Sequence, residues 1–468
     1  MKAIHQLILP GLAAGLLVAG CRGLPATGEK SARQDVAAVG GQLPTNAPAL
    51  GTNATLHEAV LIAVRNHPQV VAAYADWAGS VESITVARSR PDPKLTLDLS
   101  IVDAVKPLFA TPMADMTENM GNDAVQSVAL GLMTDIPGPG KRAARAAAAL
   151  AESRAKYFQF ATAVQSAAFA VEKSFYPLHF LDQKLRVNRQ SLALLASLET
   201  LARAQNEVGR ATLQDVLRAQ IEQEKLKTET ANLEDSRRVL LAQFKSALGL
   251  HAGQAYPPLP TTGVLVENKL SDEELFAAAL KQNPRLKAME AEIRVADAAI
   301  RVARKERVPD FTAGINADVK ASPVVWNPQV SMTLPIWRDK LAAELAAAQA
   351  GKRAAETRLS AEQINLAVDF AEQAYLIREA DRELTLLRER LLPRARQSLE
   401  VSRAAYRSGQ VDFLNVIDAE RTLLDFQLTE IAGQMQRAIA QAELTLLIVG
   451  VPPENAPQLK PKNSKPVR

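Results

Sequence analysis

The chain has 468 residues, 47% of them apolar but only 4% aromatic, and alanine runs such as Ala146 to Ala149 recur. That balance suits helices packed closely together better than an enzyme core, where aromatic side chains usually fill volume. The 55 basic and 51 acidic residues leave a formal charge of +4, a mixed surface rather than the basic stripe of a nucleic-acid binder.

Lys2 supplies a short positive region, and Leu7 to Val18 forms an apolar run too short for a comfortable transmembrane helix. Val18-Ala19-Gly20-Cys21 follows. Small residues before a cysteine in this place look like a bacterial lipoprotein signal, in which residues 1–20 are removed and Cys21 carries lipid. An ordinary secretory signal with an incidental cysteine is the alternative. Arg22, where lipoproteins kept at the inner membrane usually carry Asp, favours outward sorting. As the only cysteine, Cys21 also excludes an internal disulfide framework and a thiolate zinc cluster. Residues 21–54, rich in Gly, Pro, Ala and Thr and without a period, read as a lipid-anchored tether.

The remainder is a duplication. Asn66-His67-Pro68 matches Gln282-Asn283-Pro284, Val86-Ala87-Arg88 recurs as Val302-Ala303-Arg304, and Pro93 recurs as Pro309, all at an offset of 216. Thr134 matches Thr333 and Lys141 matches Lys340 at an offset of 199, and Gly209 matches Gly409 at 200. Residues 55–250 therefore form one repeat and 271–450 the other. Residues 251–270 link them, and 451–468 form a tail. Each repeat reads as two helices, a strand pair (about 94–135 and about 310–335), a very long helix, a break at Gly209 or Gly409, and a long helix.

In the strand regions the hydrophobic period is two. Leu95, Leu97, Leu99 and Ile101 alternate with Thr96, Asp98 and Ser100, and Val128, Leu130 and Leu132 repeat the pattern. Phe311, Ala313, Ile315, Ala317 and Val319 do the same in the second copy, followed by Val330, Met332 and Leu334. Such strands suit a half-buried antiparallel sheet or a membrane barrel with one face on lipid. Four strands cannot close a channel-sized barrel, so a barrel would need several chains to share one sheet.

Lys141 to about Gln205 holds no glycine, and Lys340 to about Arg407 holds only Gly351. At ~1.5 Å per residue each helix would approach 100 Å. Pro177 and Pro393 fall inside these stretches and should kink or redirect them. The Pro137 to Arg142 corner opens a helix with basic residues that oppose the helix dipole, which points to a packing or interfacial role.

Catalytic chemistry is hard to find. His5, His57, His67, His179 and His251 are scattered without a metal-ligand spacing. Gly138-Pro139-Gly140-Lys141 lacks the Ser/Thr of a phosphate loop. No cofactor, metal site or enzyme activity is expected.

Lipid signal, duplication, strand pairs and very long helices together resemble the TolC-type outer membrane factors, over about Leu56 to Gly450. The most specific piece runs from Leu392-Pro393 through Tyr406-Arg407-Ser408-Gly409 to Asp412-Phe413-Leu414-Asn415-Val416-Ile417-Asp418-Ala419. The resemblance implies an α+β fold, mostly α, in a homotrimer. Four strands per chain would build a 12-stranded outer membrane β-barrel, and the duplicated helical hairpins a periplasmic α-barrel. A mixed equatorial belt would come from about Tyr256 to Leu270 and the tail.

It further implies a passive exit duct of a tripartite efflux pump, lipid-anchored at the outer membrane. Its partners would be a periplasmic adaptor (membrane fusion) protein and an inner-membrane pump of the RND type, carrying metals or drugs. Carried over, Val208-Gly209-Arg210 and Ser408-Gly409-Gln410 are adaptor-docking tips. Asn415 and Asp418 match the acidic pair that rings the periplasmic aperture, one of them here an amide. Asp215 and Arg218, their counterparts, could hold the aperture shut, with plain surface pairing as the alternative. A competing reading is a lipid-anchored periplasmic coiled-coil scaffold or adaptor, which leaves the four strands unexplained.

Overall fold

A computed structural model describes residues 26, 28–43, 50–51, 54–101, 125–251, 253–260 and 271–459 of the protein. The expected signal and Cys21 lie outside the described residues, as do the loop from 104 to 124, linker residues 261–270 and tail residues 460–468.

The first copy runs α2 (Leu56–Asn66), α3 (Pro68–Arg88), β1 (Lys94–Ile101), β2 (Val125–Ile136), α4 (Lys141–Glu207) and α5 (Leu213–Ala247). The second runs α6 (Asp272–Gln282), α7 (Pro284–Lys305), β3 (Phe311–Asp318), β4 (Val325–Met332), α8 (Arg338–Leu386), α9 (Leu392–Arg407) and α10 (Phe413–Ala442). Equivalent helices start by the same device. Glu58 accepts a hydrogen bond from the Thr55 backbone N–H at 2.8 Å while its own N–H donates to the Thr55 hydroxyl at 3.3 Å. Ser271 and Glu274 repeat this at 3.0 and 3.3 Å ahead of α6, each box satisfying two donors that a helix start leaves open.

The tether is not featureless. It contains α1 (Glu29–Gly40), whose Glu29 is buried and bonded to the Arg88 guanidinium at 2.7 Å and the Thr85 hydroxyl at 2.8 Å. Burial disfavours the Glu29 charge, but these bonds more than offset it and hold the pKa down at about 2. The helix is fixed by these long-range partners rather than by a period of its own, so composition alone could not reveal it.

The two prolines behave differently. The 67-residue α4 continues through Pro177, so the expected change of course is not a break there. Ahead of Pro393 the helix widens into a π-helical turn, Leu387–Leu391, a local adjustment common where the regular ladder is interrupted. A second π-helical turn, Glu443–Val449, follows α10.

By contacts the described chain forms two compact units, and each copy contributes to both. The first unit holds the sheet, with antiparallel order β1-β2-β3-β4. One face presents Leu95, Leu97, Leu99, Leu130, Leu132, Ile315, Val330 and Met332, all exposed. On the other face Thr312 donates to Asp135 at 2.9 Å, Asn316 to Asp98 at 3.3 Å and Lys94 to Asp135 at 2.7 Å. Strand β4 starts at Val325, earlier than the alternation Val330-Met332-Leu334 suggested, because Trp326 and Pro328 pair with Ala317 and Ile315.

The corner at Lys141 lies in the same unit. Its ammonium, only 3% exposed, is 2.8 Å from Asp310 and 3.1 Å from Glu306. Asp310 also accepts the Gly138 backbone N–H at 2.7 Å, and Arg145 meets Glu306 at 3.2 Å. Burial opposes the ammonium's charge, yet bonds to the two carboxylates keep its pKa raised. The basic residue at this helix start is therefore a clamp from the first copy onto the second.

The second unit holds most of the helical core. Trp77 stacks on Phe160 with centroids 5.9 Å apart. Leu275, Leu286, Leu366, Phe370, Leu444 and Ile448 form another cluster. Asn283 is buried beside it, donating to Leu447 and Ile448 carbonyls at 2.9 Å each and accepting from the Arg285 N–H at 2.8 Å. That explains why Asn-Pro opens the second copy's helix α7. No helix among the described residues is long and apolar enough to cross a membrane.

Candidate functional site: the two helical tips

Two reversals sit in the second unit, between α4 and α5 and between α9 and α10. At the first, the Arg210 N–H donates to the Gln205 carbonyl at 2.8 Å and Gly209 to Asn206 at 3.0 Å. At the second, Gln410 donates to Ala405 at 2.9 Å and Gly409 to Tyr406 at 3.0 Å. This is the Schellman closure of a helix, which requires a left-handed residue at its turn. Gly209 and Gly409 supply it, with φ of +71° and +75°. A Cβ at either would meet nothing within 4 Å, so the backbone angle alone favours glycine. Val208, Gly209, Arg210, Ser408, Gly409 and Gln410 are all exposed, an accessible pair of turns.

Behind the tips one cluster draws on all four helices: Leu195, Leu198, Ala202, Val216, Ala219, Leu226, Leu399, Tyr406, Phe413, Val416 and Ile417. The two hairpins are thus packed on each other just behind their turns. Glu222 of α5 and Arg421 of α10 add an ion pair, with Arg421 Nε 3.1 Å from the carboxylate.

Side chains differ at matched positions 200 residues apart. Asn206 donates to the Ala211 carbonyl at 2.8 Å, whereas Tyr406 turns its ring into the core, 5.2 Å from Phe413. The Tyr406 hydroxyl is buried without a hydrogen-bond partner among the described residues; burial, with the nearby Asp215 carboxylate, pushes its pKa up to about 12. Leu213 is exposed where Phe413 is buried. Glu199 holds Gln220 and Gln223 at 2.8 and 2.9 Å, where the second copy has buried Leu399.

The four expected aperture residues do not converge within the chain. Asp215 is half-buried and accepts the Thr212 N–H at 3.1 Å, capping α5. Arg218 is half-buried with no ion pair among the described residues. Asn415 is exposed, and exposed Asp418 lies 3.8 Å from Arg421. The Asp215 carboxylate acts on Tyr406, a residue that repeat arithmetic (Asn206 against Tyr406) could have singled out.

Sequence reading also missed Glu420, only 3% exposed and bonded by the Ser191 hydroxyl. Burial raises its pKa above the ordinary 4.5, partly opposed by Ser191 and reinforced by Glu222. A carboxyl that binds its proton more tightly when folded loses stability as pH rises through that window. Glu420→Gln is therefore expected to match the parent near pH 4.5 and to melt progressively higher than it as pH rises. A melting difference that stays constant with pH would contradict this.

Comparison with known proteins adds three findings. The family model described as outer membrane efflux protein matches residues 61–250 and 275–450. The cobalt-zinc-cadmium resistance protein CzcC of Cupriavidus metallidurans is 24% identical over 271 residues, 55% of this chain and 62% of that relative; the match thus spans less than two thirds of the relative's length. Among solved structures, CusC superposes with a TM-score of 0.70 at 18% identity, covering 86% of this chain and 95% of that one. The outer membrane protein VceC of Vibrio cholerae gives 0.68 at 17%, covering 84% and 96%.

Proposed function

The chain belongs to the outer membrane efflux protein family, and from that premise we propose that it is the exit duct of a tripartite efflux pump. The observation that carries this reading is the four-stranded sheet, apolar on one exposed face and polar on the other, whose edge strands β1 and β4 have no outer partner among the described residues. Such a sheet fits lipid on one side and water on the other once several chains close it. Three chains give 12 strands in the outer membrane, and the long helices enclose a periplasmic conduit. The exposed Gly209 and Gly409 tips are where a periplasmic adaptor docks, and an inner-membrane pump supplies the energy. The duct conducts and catalyses nothing.

The Asn415 and Asp418 positions set the polarity of the closed aperture, and Asp215 and Arg218 help to hold it shut. The amide at Asn415 makes that aperture less anionic than a paired-carboxylate ring. The likeness to a protein named for cobalt, zinc and cadmium resistance supports divalent metal cations as cargo, delivered by an RND-type pump.

The scaffold reading differs in one measurable respect. A scaffold held only by lipid becomes soluble when Cys21 is replaced by Ser. The duct keeps its strands in the bilayer, so Cys21→Ser should stay in the outer membrane fraction and need detergent for release. Recovery of that variant in the soluble periplasmic fraction would overturn the duct.

A further inference from the structure

The two copies carry different surfaces at one matched place. In the first copy α1 lies on the last turns of α3, where the buried Glu29 carboxylate meets the Arg88 guanidinium at 2.7 Å and the Thr85 hydroxyl at 2.8 Å. At the offset of 216, Thr85, Arg88, Ser89 and Pro91 become Arg301, Arg304, Lys305 and Arg307. These four cations, at the end of α7 and just past it, are exposed, and none has an ion-pair partner among the described residues. The second copy keeps the guanidinium and adds three charges, yet no carboxylate among the described residues takes the place of Glu29. We propose that anionic phospholipids of the periplasmic leaflet fill this place, their phosphates bound by Arg301, Arg304, Lys305 and Arg307. The inference rests on the duct reading, which puts the sheet in the outer membrane.

The opposite side of α7 is already engaged. Val295, Ala299, Val302 and Glu306 line a groove with α4 and α8, in which Glu306 meets Lys141 at 3.1 Å and Arg145 at 3.2 Å. On a helix of 3.6 residues per turn these positions face away from Arg301, Arg304 and Lys305. Asp310 and Thr333 also line that groove. Each continues the polar face of the sheet, Asp310 two residues before Thr312 and Thr333 two after Ser331, so the groove looks into the conduit. The cations therefore look outward. Helix α1 agrees, because a tether that carries lipid runs outside the conduit, and it covers the matching side of α3.

Depth fits a headgroup layer as well. Phe311 opens β3 opposite Ile136, and both are exposed on the apolar face, whose lower edge they mark. Lys305 closes α7 shortly before that edge. From Arg301 to Lys305 the helix rises ~6 Å, about the thickness of one headgroup layer, ~5–8 Å. Phosphates at that depth belong to the same lipids whose chains cover the apolar face. An acidic protein segment would match the charge but not this continuity with the bilayer.

The full chain is reconstituted in phosphatidylcholine bilayers holding a trace of spin-labelled phosphatidylglycerol or of spin-labelled phosphatidylcholine. The fraction of each label immobilised by the protein gives their relative affinity. Phosphatidylglycerol is expected to be preferred about fivefold, the effect of even one cation at an anionic surface. The preference should fall towards parity in ~1 M salt, where charges are screened beyond ~3 Å. Arg301→Gln/Lys305→Gln/Arg307→Gln should bring it to near parity without salt, and Lys305→Glu alone should at least halve it. Arg390→Gln/Arg394→Gln/Arg396→Gln, which removes the same charge from α9 and the turn before it, should leave it intact. Because all these side chains are exposed, the thermal melts of the variants should match the parent.

An inserted parent chain without preference would overturn the lipid assignment and leave this face to an acidic partner. A preference that survives the first triple variant, or is lost equally from the second, would overturn the site on α7. Parity reached with inorganic phosphate but not with chloride at equal ionic strength would assign the face to free phosphate and overturn the lipid. A chain that does not insert in bilayers at all would overturn the duct reading, and this inference with it.

Discussion

Asp310→Ala is expected to destabilise the purified protein in detergent by about 3 kcal/mol, the lower end for breaking a buried ion pair. The cost arises on the other partner. Lys141 is 3% exposed and would keep only Glu306, while the Gly138 N–H would lose its acceptor. Lys141→Met should cost much less, because Asp310 is 40% exposed and water can take over its hydrogen bonds. The double variant should recover most of the loss, since an apolar side chain then fills the buried place. Thermal melts of the three variants would read this; equal losses from Asp310→Ala and Lys141→Met would contradict the clamp as described. The melts should fall without any change in where the protein is found, because the clamp joins the two copies within one chain.

Phe413→Ala should cost about 3–5 kcal/mol, as for a large aromatic removed from a packed core. Phe413 is 1% exposed, at the start of α10, in the cluster that binds one hairpin to the other. Its repeat partner Leu213 is 63% exposed, so Leu213→Ala should stay within about 0.5 kcal/mol. Hydrogen exchange across 195–226 and 399–424 gives a local reading: Phe413→Ala should raise it in both hairpins, Leu213→Ala in neither. Exchange rising only in α10 would show that the hairpins are not packed as one. If an adaptor docks at the tips as proposed, its binding should weaken for Phe413→Ala alone, because loosened hairpins present their turns less rigidly.

Much of the architecture was legible in the residues because it repeats. Period-two alternation marked the strands, the absence of glycine marked the long helices, and Gly209 and Gly409 marked the reversals. What escaped was whatever depends on partners distant in the chain. Helix α1 is pinned by Glu29 reaching Arg88 and Thr85, and no local pattern announces that. The basic corner was visible, but its acceptor Asp310 lies 169 residues away, and only the fold joins them. Pro177 shows the converse, a local signal for disruption that the helix overrides.

At the tips, matching the copies located the turns but not their difference. Tyr406 and Phe413 look like ordinary helix residues until the core forms around them, and Asp215 then serves as a cap beside Tyr406. The asymmetry between the two turns is therefore a packing property. It follows from which copy contributes the aromatic pair and which contributes Asn206 and the Glu199 clasp.

Whether cargo leaves the cell through this chain is read by cellular accumulation of zinc, cobalt and cadmium, beside a hydrophobic dye, after deletion of this chain with adaptor and pump retained. Metal accumulation is expected to rise on deletion and to return to the parental level when the full chain is supplied in trans. Unchanged accumulation of both metals and dye would contradict the duct; a rise confined to the dye would contradict the metal cargo.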